Sequence, residues 1–290
     1  MPKATSALKV NRDGLTNRAL GYMVTKSTEG ENNMNFTLTT KNIWYAMKGY
    51  PVRFAAGEMD NTFIAFDREA KIHFCRWKRR TRYRNGVKAG INRLLREYCL
   101  DSIEVSNPGV FIDCGANIGE LGIWAQSLGF SYYPFEPEEL ESQCCNKNNF
   151  NGRDKTSQKA LWSENTKLSF YSKPDSADSS VFEVKDNLSR FDIEAVTLDS
   201  QNIQLNPLAD NILKLEAEGA EPEVLQGSIT TLKSIRYVVA DCGYERGVNQ
   251  DHTFIPVLDF LTTKGFKLTH CNFRNRVTAI FERERDNNES

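Results

Sequence analysis

Residues 110–120 read Val-Phe-Ile-Asp-Cys-Gly-Ala-Asn-Ile-Gly-Glu, and this stretch decides the fold of the chain. Val110 to Ile112 form an apolar run that predicts a buried strand, and apolar residues resume with helical spacing after Gly119. The small residues in between let the backbone turn close to a ligand. The stretch therefore predicts a strand, a ligand-binding loop and a helix.

Two acidic side chains close neighbouring predicted strands. Asp113 ends the first strand, and Glu136 closes Ser-Tyr-Tyr-Pro-Phe-Glu about 20 residues further on, where an acid usually binds the ribose hydroxyls of a nucleotide. Ligands of open α/β sheets bind outside the carboxyl ends of the strands. We therefore expect both acids to face one ligand.

The details of the loop affect which ligand is expected. A dinucleotide loop keeps its glycines in the register G-x-G-x-x-G, whereas Asn117 takes the middle position here and Glu120 follows the last glycine. An acid at the start of a helix repels phosphate. The loop favours a ligand with a positive centre and no phosphate, such as S-adenosylmethionine, although a plain packing turn remains the alternative.

Five motifs together resemble the ordered motif set of the FkbM family of S-adenosylmethionine-dependent methyltransferases. They are Asp113-Cys-Gly-Ala-Asn-Ile-Gly-Glu120, Phe135-Glu-Pro137, Ala160-Leu161, Val196-Thr-Leu-Asp199 and Lys214-Leu-Glu-Ala-Glu-Gly-Ala-Glu221. The resemblance covers roughly residues 85–280. It implies a class I methyltransferase fold and methyl transfer to hydroxyl oxygens of sugars, polysaccharides or natural products.

The chain departs from the family pattern at two places. The family usually has Asp where this chain has Glu216, and many members carry Glu and then His where this chain reads Asp241-Cys-Gly-Tyr-Glu-Arg-Gly247. The first departure lengthens a carboxylate side chain and so changes how far it reaches.

Composition is typical of a soluble enzyme. The chain has 290 residues, 40% of them hydrophobic, and 37 basic residues nearly balance 38 acidic ones. A net charge of -1 argues against a general affinity for nucleic acid or membranes. No stretch approaches the ~20 apolar residues of a membrane span, and no signal core is present near the start, so we expect a cytoplasmic protein.

Cysteine and histidine usage argues against disulfides and metals. The seven cysteines include no C-x-x-C pair and mostly fall in apolar surroundings, which predicts reduced, buried thiols. With only three histidines, a transition-metal site is not expected. Glu216 and Glu218 could suit a hard cation, but two acids do not make a site, and we predict no metal.

Three regions differ in their patterning. Residues 1–35 predict a flexible polar tail, and residues 36–100 predict a β-rich extension with a basic segment and a linking helix at 88–100. Within the extension, β-rich runs are predicted at Asn42–Met47, Pro51–Phe54, Thr62–Phe66 and Lys71–Cys75. Residues 101–285 predict the S-adenosylmethionine-binding catalytic domain.

The catalytic region alternates strands and helices. This order predicts an α/β fold with a Rossmann-like, mostly parallel sheet, and the runs Phe266–Phe273 and Arg276–Phe281 predict a C-terminal antiparallel hairpin. The strands are predicted at 110–113, 131–135, 156–161, 211–217 and 236–242, and the helices at 117–128, 138–149, 221–233 and 254–264.

Lys214-Leu-Glu-Ala-Glu-Gly supplies the main catalytic candidates. Alternation along a strand would put Lys214, Glu216 and Glu218 on one face. We expect Glu218 or Glu216 to accept the hydroxyl proton, and we expect Lys214 to be part of a structural ion pair. Asp241, at the end of a later strand, is the third catalytic candidate.

A basic segment precedes the catalytic region. Seven basic residues and no acid lie between Arg76 and Lys88. The segment could hold a phosphorylated or otherwise anionic acceptor through Arg79, Arg80, Arg82 and Tyr83, a lipid-linked sugar at the membrane face, or RNA, or it could be a solvated loop.

The sequence therefore predicts a methyltransferase that transfers a methyl group to a hydroxyl of a sugar, glycan precursor or natural product. The partner is a small-molecule or glycan acceptor, with nucleic acid not favoured and the oligomeric state open. The alternatives are an RNA or protein N-methyltransferase and an inactive methyltransferase-like binding subunit. Trp162 could lie against the adenine, and the predicted cofactor-binding residues are Asp113, Gly115, Ala116, Asn117, Gly119, Glu120, Glu136, Ala160 and Leu161.

Overall fold

The computed structural model describes residues 37–172, 182, 189–274 and 277–284. The tail predicted for residues 1–35 lies outside the described residues, as do residues 285–290. Within the described part, no helix is long and apolar enough to cross a membrane. The same residues contain no cluster of His, Cys, Asp or Glu side chains that could hold a metal ion.

The N-terminal part is a helix packed on a small antiparallel sheet. Helix α1 spans 37–47, and the sheet is formed by β1 (Arg53–Ala56), β2 (Thr62–Phe66) and β3 (Lys71–Cys75). The strand predicted at Asn42–Met47 is wrong, because these residues belong to α1. Leu38 and Tyr45 are buried at helical spacing, and the Asn42 side chain forms 2.8 Å hydrogen bonds with both the N–H and the C=O of Phe54.

A 3₁₀-helix at Trp77–Tyr83 and helix α2 (Val87–Glu97) lead into the larger unit. Its elements follow in the chain order β4 (Pro108–Cys114), α3 (Glu120–Ser127), β5 (Ser131–Phe135), α4 (Glu139–Phe150), β6 (Ala160–Leu161), β7 (Thr166–Ser172), β8 (Ser189–Val196), β9 (Asp210–Leu215), α5 (Glu221–Gln226), β10 (Tyr237–Asp241), β11 (Tyr244–Arg246), β12 (Asp251–His252), α6 (Phe254–Thr263), β13 (Phe266–Asn272) and β14 (Thr278–Arg283).

Six of these strands form the central sheet in the order β13-β14-β10-β9-β4-β5. Strands β10, β9, β4 and β5 are parallel, and β14 runs antiparallel to both of its neighbours. The parallel sheet and the C-terminal hairpin that the sequence predicts are therefore confirmed.

A second sheet of the larger unit was not predicted. Strands β7 and β8 pair with each other, and β8 also pairs with the short β6, so the predicted strand 156–161 shrinks to two residues. The predicted helix 221–233 is likewise interrupted, since α5 ends at Gln226 and a separate 3₁₀-helix begins at Thr231.

Apolar side chains pack on both faces of the central sheet. Ile112 and Leu213 point to the face covered by α5 and α6, whereas Phe111 and Ile212 point to the face covered by α2 and α3. A third cluster joins the N-terminal sheet to Ile118, in the predicted ligand loop. Alternation along the buried strands explains the two faces, and the third cluster fixes the N-terminal part beside the loop.

Candidate active site

The carboxyl ends of three parallel strands define the candidate site. The register pairs Cys114 of β4 with Phe135 of β5 and with Leu215 of β9. The next residues in each strand, Gly115, Glu136 and Glu216, therefore follow at the same edge of the sheet. A cavity of about 390 Å³ opens there, within the range of roughly 300–1,000 Å³ that is usual for small-molecule sites.

Most of the predicted cofactor-binding residues line this cavity. The structure brings together Asp113, Gly115, Ala116, Asn117, Glu120, Glu136, Ala160 and Leu161. Two of the catalytic candidates and two arginines of the basic segment also line it, namely Glu216, Glu218, Arg79 and Arg82. Four predicted site residues lie away from it, namely Gly119, Arg80, Tyr83 and Asp241.

Gly115 lets the ends of β4 and β9 come close together. Its φ is +71°, and an added Cβ would lie 2.1 Å from the carbonyl oxygen of Glu216. The N–H groups of Gly115 and Ala116 both donate to the carbonyl of Phe135 at 3.0 Å. No larger side chain fits at Gly115 without moving the backbone that shapes the cavity.

Gly119 serves packing rather than the ligand. An added Cβ would lie 2.2 Å from Nδ2 of Asn149 and 2.6 Å from Sγ of Cys145, both on α4. The Asn149 amide donates to the Gly119 carbonyl at 3.0 Å. The prediction that Gly119 binds cofactor is corrected: the glycine allows α4 to pack against the start of α3.

Lys214 is a buried cation at the floor of the cavity. Its Nζ lies 3.0 Å from Oδ1 of Asp113 and 3.2 Å from the Glu216 carboxylate, and it donates to the carbonyls of Cys114 and Gly115. Burial opposes the charged form, but the two carboxylates outweigh it and raise the pKa of Lys214. The structural ion pair expected for Lys214 is present.

Glu120 is held by the basic segment. Its carboxylate accepts hydrogen bonds from Arg82 at 2.8 and 3.0 Å and from the Tyr83 hydroxyl, and its exposed fraction is only 4%. Burial opposes ionisation, but Arg82, Arg79 and the Tyr83 hydroxyl outweigh it and lower the pKa of Glu120. The expectation that Glu120 meets cationic groups of the cofactor is therefore corrected, because its carboxylate is almost fully buried and is bonded to Arg82 and Tyr83.

Other members of the basic segment are also engaged within the protein. Arg76 pairs with Glu138 and, at 2.6 Å, with Glu141. Arg80 lies over the Trp77 ring, 4.9 Å from its centroid, and donates to the Trp77 carbonyl. Tyr83 is fully buried. The predicted acceptor contacts of Arg80 and Tyr83 are corrected, since neither side chain reaches the cavity.

Glu136 has the surroundings of a ligand-binding carboxylate. Its Oε2 accepts from the N–H of Asn117 at 2.7 Å and its Oε1 accepts from the N–H of Glu138 at 2.9 Å. Asn117 adopts a left-handed φ of 52°, and its side-chain oxygen accepts from Arg79. Burial raises the pKa of Glu136 to about 8. Each oxygen retains acceptor capacity after its one backbone bond.

The loop after β9 does not continue the strand alternation that the sequence suggested. Strand β9 ends at Leu215, and residues 217–220 form a turn in which the Ala220 N–H donates to the Ala217 carbonyl at 3.1 Å. Glu218 has a φ of 51° and Gly219 a φ of 94°, as in a type I′ turn. Glu216 and Glu218 both line the cavity because of this turn rather than because of a shared strand face.

Asp241 is corrected as a catalytic candidate. It ends β10, the strand beyond β9 as seen from the cavity, and only 1% of its surface is exposed. Its carboxylate does not line the cavity.

Apolar residues close one side of the cavity. Phe135, Leu161, Trp162 and Phe170 line it, so the predicted proximity of Trp162 to the ligand site is compatible with the geometry. Phe170 lies on β7, a strand that the sequence analysis missed. Tyr98, whose ring centroid is 5.4 Å from the Nζ of Lys214, was also missed because its apolar helix face gave no sign of a site.

The strand order, the antiparallel terminal pair and the cavity at the strand ends are those of the class I methyltransferase fold. A family model described as Methyltransferase FkbM domain matches residues 113–274, more than half of the chain. The chain belongs to the FkbM methyltransferase family, and the resemblance drawn from the five motifs is confirmed. Its enzyme class is that of the S-adenosylmethionine-dependent methyltransferases.

Solved structures provide distant likenesses. Magnesium protoporphyrin IX methyltransferase from Synechocystis PCC 6803, with bound SAM, is 13% identical with a TM-score of 0.37, over 67% of this chain and 78% of that one. TYW2 of M. jannaschii in complex with AdoMet is 12% identical with a TM-score of 0.35, over 79% and 89% of the two chains. The N-terminal domain of human METTL16 is 15% identical with a TM-score of 0.36, over 68% and 69%. No curated protein matches the chain, and likenesses this distant carry no argument about the substrate.

Proposed function

We propose that the protein transfers a methyl group from S-adenosylmethionine to a hydroxyl oxygen of a sugar, a glycan precursor or a natural product. The observation that carries this proposal is the pair of half-buried carboxylates, Glu216 and Glu218, which line the same cavity as Glu136. Transfer to a hydroxyl requires a group that accepts its proton, and a carboxylate at the reacting end supplies one.

The cofactor fits the residues of the cavity. Glu136 has acceptor capacity on both oxygens for the two ribose hydroxyls, and the apolar side of the cavity suits an adenine ring. We assign the cationic amino-acid end to Glu216, whose side chain is 19% exposed, rather than to Asp113, which is 1% exposed. Asp113 then acts indirectly, by fixing Lys214 beneath the loop.

A bound cofactor would supply the methyl group through cleavage of its sulfonium C–S bond and would leave as S-adenosylhomocysteine. The protein contributes mainly by holding the reacting groups in position, which is worth up to about 7–11 kcal/mol in well-oriented reactions. Glu218 accepts the hydroxyl proton as the new C–O bond forms. Residues 101–285 would form the catalytic unit, and the N-terminal sheet would support its ligand loop from one side.

Two measurements test the proposal. S-adenosylhomocysteine should raise the melting temperature by mass action while NAD should not. At pH 9, where Glu136 is ionised, a Glu136→Gln variant should lose most of this response, whereas Glu139→Gln, at an exposed acid on α4, should keep it. Equal stabilisation by NAD, or none by either ligand, would overturn the assignment.

The acceptor is sought with cofactor that carries a ¹³C-labelled methyl group and fractionated cell extract. The chemical shift of the transferred carbon distinguishes an ether oxygen from nitrogen. A label on a nitrogen atom of RNA or protein would show that the enzyme is an N-methyltransferase and would contradict the proposed O-methylation. A protein that binds S-adenosylhomocysteine but transfers no methyl group to any fraction would instead be a binding subunit.

A further inference from the structure

Glu221 is a buried acid that the sequence analysis left without a role. It begins α5, only 1% of its surface is exposed, and it does not line the cavity. Its Oε1 accepts hydrogen bonds from the N–H of Ala217 at 2.8 Å and from the N–H of Gly219 at 3.3 Å. Its Oε2 accepts from the Thr253 hydroxyl at 2.7 Å.

The two amides bonded to Glu221 flank Glu218. The peptide groups before Ala217 and before Gly219 are thus tied to one oxygen atom, and the residue between them is held at a φ of 51°. A residue with a side chain seldom adopts this conformation, which persists only where the surroundings enforce it. On the other side of the turn, Arg246 donates to the Gly219 carbonyl at 2.6 Å.

We propose that Glu221 is a positioning residue that holds the 217–220 turn so that Glu218 faces the acceptor. This inference rests on the proposed function, in which Glu218 accepts the hydroxyl proton. Glu221 does not touch the ligand; it acts through the backbone of the turn. Thr253, fully buried beside α6, fixes the carboxylate from the opposite direction.

A side chain that replaces Glu221 must accept hydrogen bonds from the N–H groups of Ala217 and Gly219, and it must also bond to the Thr253 hydroxyl. Glutamine provides both, since its carbonyl oxygen can accept from the two amides and its NH₂ group can donate to the Thr253 oxygen. Alanine provides neither. The pair Glu221→Gln and Glu221→Ala therefore separates the hydrogen bonds from the charge.

Asp199 offers a matched control outside the cavity. Its carboxylate also accepts from two backbone amides and one threonine hydroxyl, those of Thr230 and Thr231, at 2.7–2.9 Å. Asp199→Ala removes the same kind of contact from a turn that carries no site residue. It should lower the melting temperature without changing methyl transfer by the folded protein.

The first test is kinetic. The initial rate of methyl transfer is measured with labelled S-adenosylmethionine at saturation and the accepting fraction of cell extract. Glu221→Ala should lower this rate by about 10²-fold, as expected for a misplaced reacting group, while Glu221→Gln stays within about threefold of the wild type. S-adenosylhomocysteine affinity should be retained in both. If Glu221→Ala has no more effect on the rate than Asp199→Ala, the inference is wrong.

A double-mutant cycle identifies the route of the effect. When Glu218 is already Gln, Glu221→Ala should reduce the rate by less than about threefold further, because both changes remove the same function. Fully additive losses would mean that Glu221 acts on something other than Glu218 and would overturn the inference.

Amide hydrogen exchange with S-adenosylhomocysteine bound gives a readout that needs no turnover. In Glu221→Ala the amides of Ala217 and Gly219 should exchange faster, while those of Gly115 and Ala116, which bond to Phe135, should not. If Glu218→Gln leaves the rate unchanged, the proposed base is wrong, and exchange still decides whether Glu221 holds the turn. Unchanged exchange at Ala217 and Gly219 overturns the positioning role whatever the kinetics.

Discussion

Two sets of carboxylates border the same cavity and differ in their surroundings. Asp113 and Glu120 are almost fully buried and are paired with Lys214 and with Arg82. Glu216 and Glu218 lie on the loop after β9 and are half-buried. The difference shows that position at a strand end does not by itself assign a role. The first set is almost fully buried in internal ion pairs, whereas the second set, in which Glu216 also contacts Lys214 at 3.2 Å, keeps part of its surface at the cavity.

The comparison gives both sets a testable consequence. Changes in the buried set should act mainly on the free energy of unfolding, and changes in the half-buried set should act mainly on methyl transfer. The following expectations run from the largest effect to the smallest.

Glu218→Gln should cause the largest loss. The substitution keeps the size of the side chain and removes its basicity, so the rate of methyl transfer should fall by roughly 10²–10⁴-fold while S-adenosylhomocysteine affinity stays within a few-fold. Compared with Glu218→Gln, the matching change Glu216→Gln should reduce the rate of methyl transfer less and should reduce the affinity for S-adenosylhomocysteine more. Equal losses of rate and affinity in Glu218→Gln would point to a structural role instead.

Lys214→Met should be the most destabilising change in the buried set. It leaves Asp113 buried without its cation, which typically costs about 3–5 kcal/mol in the free energy of unfolding. The control is Lys267→Met, which breaks the exposed pair with Glu284 and should cost less than about 1 kcal/mol. Denaturant unfolding measures both free energies. If the two variants lose similar amounts of stability, the buried Lys214 pair contributes no more to stability than an exposed pair does.

Arg82→Gln should destabilise the protein by about 1–3 kcal/mol at neutral pH, the range for hydrogen bonds to a charged group. The exposed Arg93, which pairs with Glu97 one helical turn away, is the control, and Arg93→Gln should cost about 0.5 kcal/mol or less. If Arg82→Gln instead raises the KM for the acceptor and leaves the free energy of unfolding unchanged, Arg82 contributes to acceptor binding.

The Arg82 effect should also depend on pH. The pKa of Glu120 is lower in the folded protein than in the unfolded chain, so its contribution to stability is present above the unfolded value of 4.5 and is lost as pH falls through the folded value. The difference between wild type and Arg82→Gln should therefore shrink below about pH 4.5. A constant difference down to low pH would contradict the pairing with Glu120.

At neutral pH, replacement of Glu136 should have the smallest effect of the series, and its role should appear as a pH dependence of ligand binding. Its pKa of about 8 means that the free protein carries a proton there at neutral pH, whereas the ribose hydroxyls prefer the carboxylate. The affinity for 5′-methylthioadenosine, which has ribose and adenine but no amino-acid group, should fall by up to about tenfold per pH unit below pH 8.

Glu136→Gln is the control for that profile. It should bind the same ligand about 1–3 kcal/mol more weakly than the wild type at pH 9 and show no pH dependence. Stability gives an independent check, because a raised folded pKa makes the wild type lose stability as pH rises from 4.5 through about 8, and the variant should lack this decline. If the affinity of the wild type for 5′-methylthioadenosine does not change with pH, Glu136 does not bind the ribose.

The local pattern of the sequence was sufficient for the backbone of the site. Apolar runs, small residues and acids at strand ends predicted β4, the ligand loop and α3, as well as the edge of the sheet at which the ligand binds. These features are local, because each depends only on residues that are close together in sequence. They are the strand period, the turn preference of Gly115 and the return of helical spacing. The family motifs added the enzyme class.

Only the tertiary structure decided what each charged side chain does. The sequence predicts that Glu120 faces the ligand. In the structure, Arg82 and Tyr83, which precede the catalytic region in sequence, donate hydrogen bonds to its carboxylate. The sequence patterns assign no role to Glu221, whereas the structure shows its two hydrogen bonds to the turn that carries Glu218. The reason is physical: the charge state and reach of a carboxylate depend on burial and on partners that are distant in sequence, and these are set when the elements pack together.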